Sequence, residues 1–568
     1  MDTNTKTPAL LKGAEITIKT LEKLGIDTVF AYPGGAAIEF HQALKDSPIR
    51  VVLPRNEQGG SFAADGYARA TGKTGVCMAT SGPGATNLLT GIADAYMDSI
   101  PMVIITGQVP VSLIGKNAFQ ETDIIGMTRP IVKHSFLILN AEEISSTIVN
   151  AFYLANSGRP GPVLIDIPKN IQQQKLEFHF DPKPNLSAYD LPKPPEAEDI
   201  EAIRKAIAKS QKPCLYVGGG VIAADAAKEL TKFAELYNIP VATTLMGVGA
   251  IPEDHPLSLK WLGMHGTYAA NYAANECDLL LAFGARFDDR VTGNVDLFAR
   301  EAFIVHVDID QSEINKNIRA DLGIVADIRS VLIELNKKPV FAERKPWMDQ
   351  VAAWKKDHPL TYHKEKGILK PQSVVETICR LTKGEAVIVP GVGQHQMWAA
   401  QFYTYKYPRQ HLTSGGLGSM GFGLPAAIGA KVACPEKTVI NIDGDGSFQM
   451  NIQELGTVYT EEVGIKMVIL NNQHLGMVAQ WEDRFYGSRR GNTDLTVAGG
   501  RPYPDFVTIA KGYQIPGREV YSEDELEDAV REMLETPGPF LLDCHTFYHD
   551  HVLPMIPPGK SYKDILTE

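Results

Sequence analysis

Short runs of apolar, mostly β-branched residues recur along this chain, and stretches with helical spacing separate them. A strand that is apolar at every position is buried on both faces. Parallel sheets covered by helices on both sides bury strands in that way. Thr28–Tyr32, Val51–Pro54, Gly75–Thr80, Met102–Thr106 and Val163–Ile167 read as strands of one sheet, with Gly59–Ala70 and Ala85–Met97 as helices. Cys214–Val217, Val241–Thr243, Leu279–Phe283 and Phe303–Asp308 read as a second sheet. Ala386–Pro390, Thr438–Ile442, Lys466–Leu470 and Phe540–Cys544 read as a third. The pattern predicts an α/β chain of three doubly wound parallel-sheet domains, and 568 residues is too many for one core. Sheets of this kind bind ligands outside the carboxyl ends of their strands.

Two stretches read as linkers. Residues 181–198 hold five prolines and almost no apolar periodicity, and 336–372 are rich in Lys, Pro and charge, with part of that stretch helical. The blocks they leave are 8–180, 196–340 and 370–545, followed by a tail, 546–568. A net charge of −12 with no dense basic run argues against nucleic acid as a partner. No apolar run approaches the ~20 residues that cross a bilayer, so no membrane partner is expected. Cys77, Cys214, Cys277, Cys379, Cys434 and Cys544 form no Cys-x-x-Cys pair. They read as reduced thiols of a cytoplasmic protein. The start of the chain lacks the basic and apolar regions of a signal peptide and any transit-peptide-like extension, which also suits the cytoplasm.

The third block carries the densest chemistry. The strand Thr438–Ile442 runs into Asp443-Gly444-Asp445-Gly446-Ser447. A helix over about Asn451–Glu461 is expected to aim its N-terminus at that turn, which favours phosphate. The next strand ends in Asn471-Asn472. Consecutive strand ends open onto one crevice, so Asp445 and Asn472 can meet there although 27 residues separate them. A carboxylate and an amide oxygen are hard ligands suited to Mg²⁺, which leaves further positions to phosphate oxygens. Gly416-Leu-Gly418-Ser-Met-Gly421 also fits the dinucleotide pattern GxGxxG, with Asp443 22 residues further on. That NAD reading lacks a good strand before the glycines.

Gly-Asp-Gly followed by helix, strand and Asn-Asn resembles the signature of thiamine-diphosphate enzymes. The resemblance implies Mg²⁺ held by Asp445, Asn472 and the backbone of His474. It implies diphosphate bound by Gly444, Gly446 and Ser447 and reached by Gln394 and His395. Gly418 and Met420 would hold the aminopyrimidine, and Gly476 and Met477 complete that set. The run from Asn56-Glu57 through Ala63–Arg69 to Ser81–Asn87 resembles the family's pyrimidine-binding domain. Glu57 would then exchange a proton with the pyrimidine N1′, work that suits a carboxyl in an apolar setting. By position alone a helix-start glutamate facing the dipole is the favoured reading, and the resemblance reverses it. In such enzymes this acid and the diphosphate site come from different subunits, which implies a homodimer at least and leaves a tetramer open.

The central block resembles the FAD-dependent acetolactate synthases in Trp261–Thr267, Phe283–Gly293 and His306–Asp310. The resemblance implies a central FAD-binding domain between the pyrimidine-binding and diphosphate-binding ones. FAD would lie near Gly218, Gly219, Gly220, Gly263, Met264, His265, Gly284, Arg286, Asp308 and Asp327. It would be structural, because the implied reaction transfers no net electrons. That reaction decarboxylates pyruvate and joins the remaining hydroxyethyl unit to a second pyruvate or to 2-ketobutyrate. The products are 2-acetolactate and 2-aceto-2-hydroxybutyrate, at the start of valine, leucine and isoleucine biosynthesis. Arg290 would grip the acceptor carboxylate, since a guanidinium pairs bidentately with one. Trp481 would shape the acceptor pocket, Gly34 and Gly35 would bring the backbone close to the cofactor, Gln120 would hydrogen-bond in the site, and Phe119 and Lys169 would line its approach. The polar stretch 484–504 reads as a lid, with the tail from His551 closing beside it. Members of this family commonly bind a small regulatory subunit. The rival readings are an FAD-redox relative such as a pyruvate oxidase, an NAD dehydrogenase and a non-catalytic homologue.

Overall fold

A computed structural model describes residues 10–186, 189, 191, 194–497 and 503–567. Parts of the 181–198 linker and of the 484–504 stretch therefore lie outside the described residues, as do Met1–Ala9 and Glu568. Two compact units are distinguished. One runs to Asp190 and includes Gly416–Pro435 and Asn451–Val463; the other holds Leu191–Gly415, Glu436–Met450 and Gly464–Glu568.

The first unit is built on six parallel strands: β1 (Thr28–Ala31), β2 (Arg50–Val52), β3 (Gly75–Ala79), β4 (Met102–Gln108), β5 (His134–Leu137) and β6 (Pro162–Pro168). Their order is β2-β1-β3-β4-β6-β5. β3, β4 and β6 are buried along their whole length, and the one acid among them, Asp166 in β6, accepts from Thr106 Oγ1 at 2.7 Å and Gln108 Nε2 at 2.9 Å. Following β2, the helix Glu57–Thr71 starts where the Asn56 side chain accepts from Gln58 N at 2.8 Å, and it stops at Gly72, φ +74°. Its small residues let Gly423–Ala433 cross it almost backbone to backbone. A Cβ on Gly66 would lie 2.1 Å from the Ala426 carbonyl oxygen, and one on Gly429 1.8 Å from that of Ala63. The expected helix Ala85–Met97 is two helices, Pro83–Asn87 and Leu89–Asp98.

The second unit holds two sheets. β7 (Pro213–Val217), β8 (Val241–Thr243), β9 (Ser258–Trp261), β10 (Leu279–Phe283), β11 (Phe303–Asp308) and β12 (Leu322–Val325) lie in the order β9-β8-β7-β10-β11-β12. β13 (Val387–Pro390), β14 (Val439–Gly444), β15 (Lys466–Asn471), β16 (Gly517–Val520) and β17 (Phe540–His545) lie in the order β13-β14-β15-β17-β16. Every pairing in the three sheets is parallel. Within 336–372 lies the helix Lys345–Asp357, whose Trp347 and Val351 are buried beside Cys214 and Ala273. No helix among the described residues is long and apolar enough to cross a membrane.

Glu253 is a buried acid with one oxygen accepting from Tyr405 N at 3.1 Å and the other without a hydrogen-bond partner. Burial pushes its carboxyl up to about 7 from 4.5, against the pull of Lys260. The folded state thus favours the neutral acid. That contributes stability below the unfolded value, which is lost as pH rises through about 7. Glu253→Gln is expected to match the wild type near pH 4.5 and to exceed it by about 2–3 kcal/mol at pH 8. Denaturant melts at the two pH values read this directly. A difference that does not change with pH would reject a buried, proton-linked Glu253.

Candidate active site

The carboxyl ends of β13, β14 and β15 form one edge of the third sheet, because Pro390 pairs with Ile442 and Gly444 with Leu470. Asp445 leaves that edge as the first residue of a helix, Asp445–Gln449. This helix, rather than Asn451–Glu461, follows the strand. Beyond it the chain makes a 3-10 turn, Ile452–Glu454, and a short helix, Leu455–Thr460, both within the first unit. Asp445 is 1% exposed and its Oδ2 has no hydrogen-bond partner. Burial pushes its carboxyl up to about 7, against hydrogen bonds from backbone groups of Asp445, Asn472 and Gly446. Asn472 Oδ1 accepts from His474 N at 3.0 Å and its Nδ2 donates to Gln394 Oε1 at 3.2 Å. The His474 ring stacks on Tyr548 and its Nδ1 lies 2.9 Å from the Asn472 carbonyl oxygen. His395 Nε2 is buried, without a hydrogen-bond partner, 3.3 Å from Asp443 Oδ1.

These residues are packed too tightly for side chains at the glycines among them. A Cβ on Gly391 would fall 2.7 Å from Ser447 Oγ, and one on Gly476 2.1 Å from Gln394 Oε1. An unpartnered buried carboxylate oxygen, on an acid that the Asn472 backbone contacts, can hold a hard cation that phosphate shares. His395 can donate to the phosphate. The donor set therefore fits a magnesium diphosphate. Met477 follows Gly476 at the start of the helix Gly476–Phe485, and both are partly exposed.

In the first unit, β1 and β3 are neighbours whose connections depart to opposite sides, so their ends form the switch-point crevice. Ala36 N donates to Thr80 Oγ1 at 3.1 Å across it. Glu57 lies half-buried here, and its Oε2 accepts from Asn87 Nδ2 at 2.9 Å. A Cβ on Gly34 would meet Thr80 at 2.5 Å, whereas one on Gly35 would meet nothing within 4 Å. Gln120, φ +59°, has its backbone against Gly82. Phe119 is 90% exposed, and Lys169 opens a short helix after β6. Gly418, φ +74°, and Met420 also belong to this unit. Their loop is anchored where Gly416 N donates to Asp98 and Ser419 Oγ to Asp94, at 2.7 and 2.9 Å. Arg69 pairs with both aspartates and with Asp65, all buried.

The central sheet has its switch point between β7 and β10. Gly218–Gly220 leave β7 there, and Gly220 N donates to the Gly284 carbonyl at 3.1 Å. Arg286 Nη2 lies 3.4 Å from Asp288, and Asp308 ends β11. Gly263, φ +111°, sits against the Arg290 carbonyl oxygen, which also accepts from Met264 N at 2.8 Å. His265 is buried with Nε2 unpartnered, and burial lowers it to about 4. A dinucleotide fits a glycine-lined switch point. Asp327 caps the helix Ile328–Lys337, accepting from Ser330 N and Oγ.

Arg290 is largely exposed and lies 3.6 Å from Asp289. It borders a cavity of about 110 Å³ with Met264, Ile556 and Lys560. Trp481 is half-buried on the helix Gly476–Phe485, edge-on to Phe485. The tail is stitched to this region. Val552 N donates to Gln480 Oε1 at 2.7 Å, Gln394 Nε2 donates to the same oxygen at 3.0 Å, and Ile556 N donates to the Met264 carbonyl at 2.8 Å. Asp483 joins Arg490 of the 484–504 stretch at 2.7 Å and His551 of the tail at 3.3 Å.

Sequence reasoning missed Gln480, Asn87 as a partner of Glu57, and Glu454. The carboxylate of Glu454 accepts from Arg55 N and Asn56 N at 3.0–3.1 Å and so holds the turn that presents Glu57. Only the buried setting of so polar a residue signals this, and periodicity does not report it.

The chain matches the thiamine pyrophosphate enzyme N-terminal TPP binding domain over residues 11–127, the central domain over 200–335 and the C-terminal TPP binding domain over 391–544. It is 54% identical to acetolactate synthase 1, chloroplastic, of Oryza sativa subsp. japonica, over 98% of this chain and 88% of that protein. It is 53% identical to acetolactate synthase 1, chloroplastic, of Zea mays, over 98% and 89%. It is 52% identical to acetolactate synthase, chloroplastic, of Arabidopsis thaliana, over 98% and 84%. With likeness of that depth running through all three sheets, the chain belongs to the acetolactate synthase family of thiamine pyrophosphate enzymes.

Proposed function

We propose that this enzyme decarboxylates pyruvate and joins the two-carbon unit to a second 2-keto acid, pyruvate or 2-ketobutyrate, in branched-chain amino-acid biosynthesis. Bound thiamine diphosphate supplies the electron sink for decarboxylation and the nucleophilic carbon for the condensation. Asp445, Asn472 and the backbone of His474 hold Mg²⁺ on the diphosphate, with Gly446, Ser447 and His395 as phosphate contacts. Glu57 holds and returns a proton at the pyrimidine N1′, and Asn87 fixes its carboxylate for that exchange. Gly418 and Met420 hold the pyrimidine. FAD occupies the central switch point as a structural group. Arg290 positions the acceptor carboxylate and Trp481 the acceptor side chain.

The observation that carries this reading is Asp445, buried with an unpartnered carboxylate oxygen beside Asn472. In this reading the cofactor site is completed in a homodimer, with Glu57 from one subunit and Asp445 and Asn472 from the other. A small regulatory subunit is the further partner. None of the six cysteines is in a disulfide, which suits a reducing compartment, in our reading the cytoplasm. The test is incubation with pyruvate, thiamine diphosphate, Mg²⁺ and FAD, with acetolactate, acetaldehyde and peroxide quantified together. Acetolactate without oxygen uptake is expected. Peroxide with little acetolactate would move the enzyme to the oxidase branch.

Arg290→Ala is expected to cut kcat/KM for the acceptor about 10–100-fold, the worth of a charged hydrogen-bonded contact. Decarboxylation to acetaldehyde should be largely spared. Equal loss of both products would remove Arg290 from acceptor binding.

A further inference from the structure

The parallel strands β16 and β17 bring three side chains to one face. Glu519 is the register partner of Asp543, and His545 lies two residues further along β17. Alternate residues of a strand share a face. The ligating atoms of Glu519, Asp543 and His545 all lie within 4.8 Å of one another. His545 Nε2 stands 3.5 Å from Glu519 Oε1 and 3.6 Å from Asp543 Oδ2. A tetrahedral ion with bonds of about 2.1 Å sets its ligand atoms about 3.4 Å apart.

The state of these atoms is a second observation. His545 Nε2 is buried without a hydrogen-bond partner. Asp543 is 1% exposed; its Oδ1 accepts from Asn471 at 3.0 Å, and its Oδ2 faces the unpartnered Nε2. The supporting contacts fix the donors as a metal site needs. The His545 ring stacks on Tyr521 at 4.2 Å and 2°, and Tyr521 Oη donates to Glu519 Oε1 at 2.9 Å.

We propose that Glu519, Asp543 and His545 form a second cation site, separate from the diphosphate centre, for a divalent transition metal of the zinc class. One imidazole and two carboxylates suit zinc better than magnesium, which prefers oxygen alone. Three protein ligands leave a fourth position to water. Asp543 links this site to Asn471, the neighbour of Asn472, so an ion here braces the turn that serves the cofactor.

The test uses the full chain loaded with thiamine diphosphate and Mg²⁺, then titrated with Zn²⁺ by calorimetry and with Co²⁺ by visible absorption. One Zn²⁺ per chain is expected, with a cobalt spectrum of nitrogen and oxygen ligands that lacks a thiolate charge-transfer band. His545→Gln and the exposed-residue variant Glu519→Gln should each weaken binding about a hundredfold. Glu519→Gln keeps the proposal testable if the buried variant fails to fold. Asp445→Asn should leave this site intact. No binding by the wild type, binding unchanged in both variants, or a thiolate spectrum would each overturn the proposal.

Discussion

Glu57→Gln is expected to lower acetolactate formation by about 10²–10⁴-fold, the usual worth of a positioned acid–base group. The amide keeps an oxygen that can accept from Asn87 and keeps the first helical position that Asn56 caps. The fold and the affinity for thiamine diphosphate should therefore stay near wild type. What the amide cannot do is exchange a proton with the pyrimidine. The informative measurement is exchange of the cofactor's C2 proton in deuterated buffer, read after rapid quenching, beside steady-state turnover. Both should fall together. Near-normal exchange with slow turnover would move the role of Glu57 to a later step, and near-normal turnover would remove it.

Asp445→Asn is expected to weaken joint binding of Mg²⁺ and thiamine diphosphate at least about a hundredfold, since losing a metal ligand costs more than losing its support. The change leaves the cofactor-free fold intact or more stable, because Asp445 is buried with an oxygen that no donor satisfies. The expected signature is thus split. Without ligands the variant melts at or above the wild type, and the rise in Tm on adding cofactor and Mg²⁺ disappears. Calorimetric binding gives the affinity. A variant that loses stability without ligands yet keeps the Tm rise would make Asp445 a structural residue instead. Glu57→Gln and Asp445→Asn are thus expected to differ in kind, the first losing proton exchange and the second cofactor retention.

The sequence by itself determined the architecture and the location of its chemistry. Unbroken apolar runs such as Met102–Thr106 and Leu279–Phe283 admit only strands buried on both faces, and the structure has both within parallel sheets. Gly-Asp-Gly at one strand end and Asn-Asn at the next placed Asp445 and Asn472 on one sheet edge through connectivity alone. Four of the six edge strands were not legible in this way. His134–Leu137, Ser258–Trp261 and Gly517–Val520 carry too many polar residues to form an apolar run, and Leu322–Val325 is four residues interrupted by Gly323.

Only the tertiary structure decided which distant residues support the site. Glu454 meets the backbone ahead of Glu57 across some four hundred residues, and Gln480 joins Gln394 to the tail at Val552. It also placed Gly416–Pro435 and Asn451–Val463 with the first sheet, although both lie within the sequence span of the third. The closeness of Glu519, Asp543 and His545 depends on the register of β16 against β17, which no local pattern encodes. Periodicity reports what a residue's own element does with its apolar face. Which polar groups meet is set by packing between elements, where a buried donor or acceptor must find its partner through space.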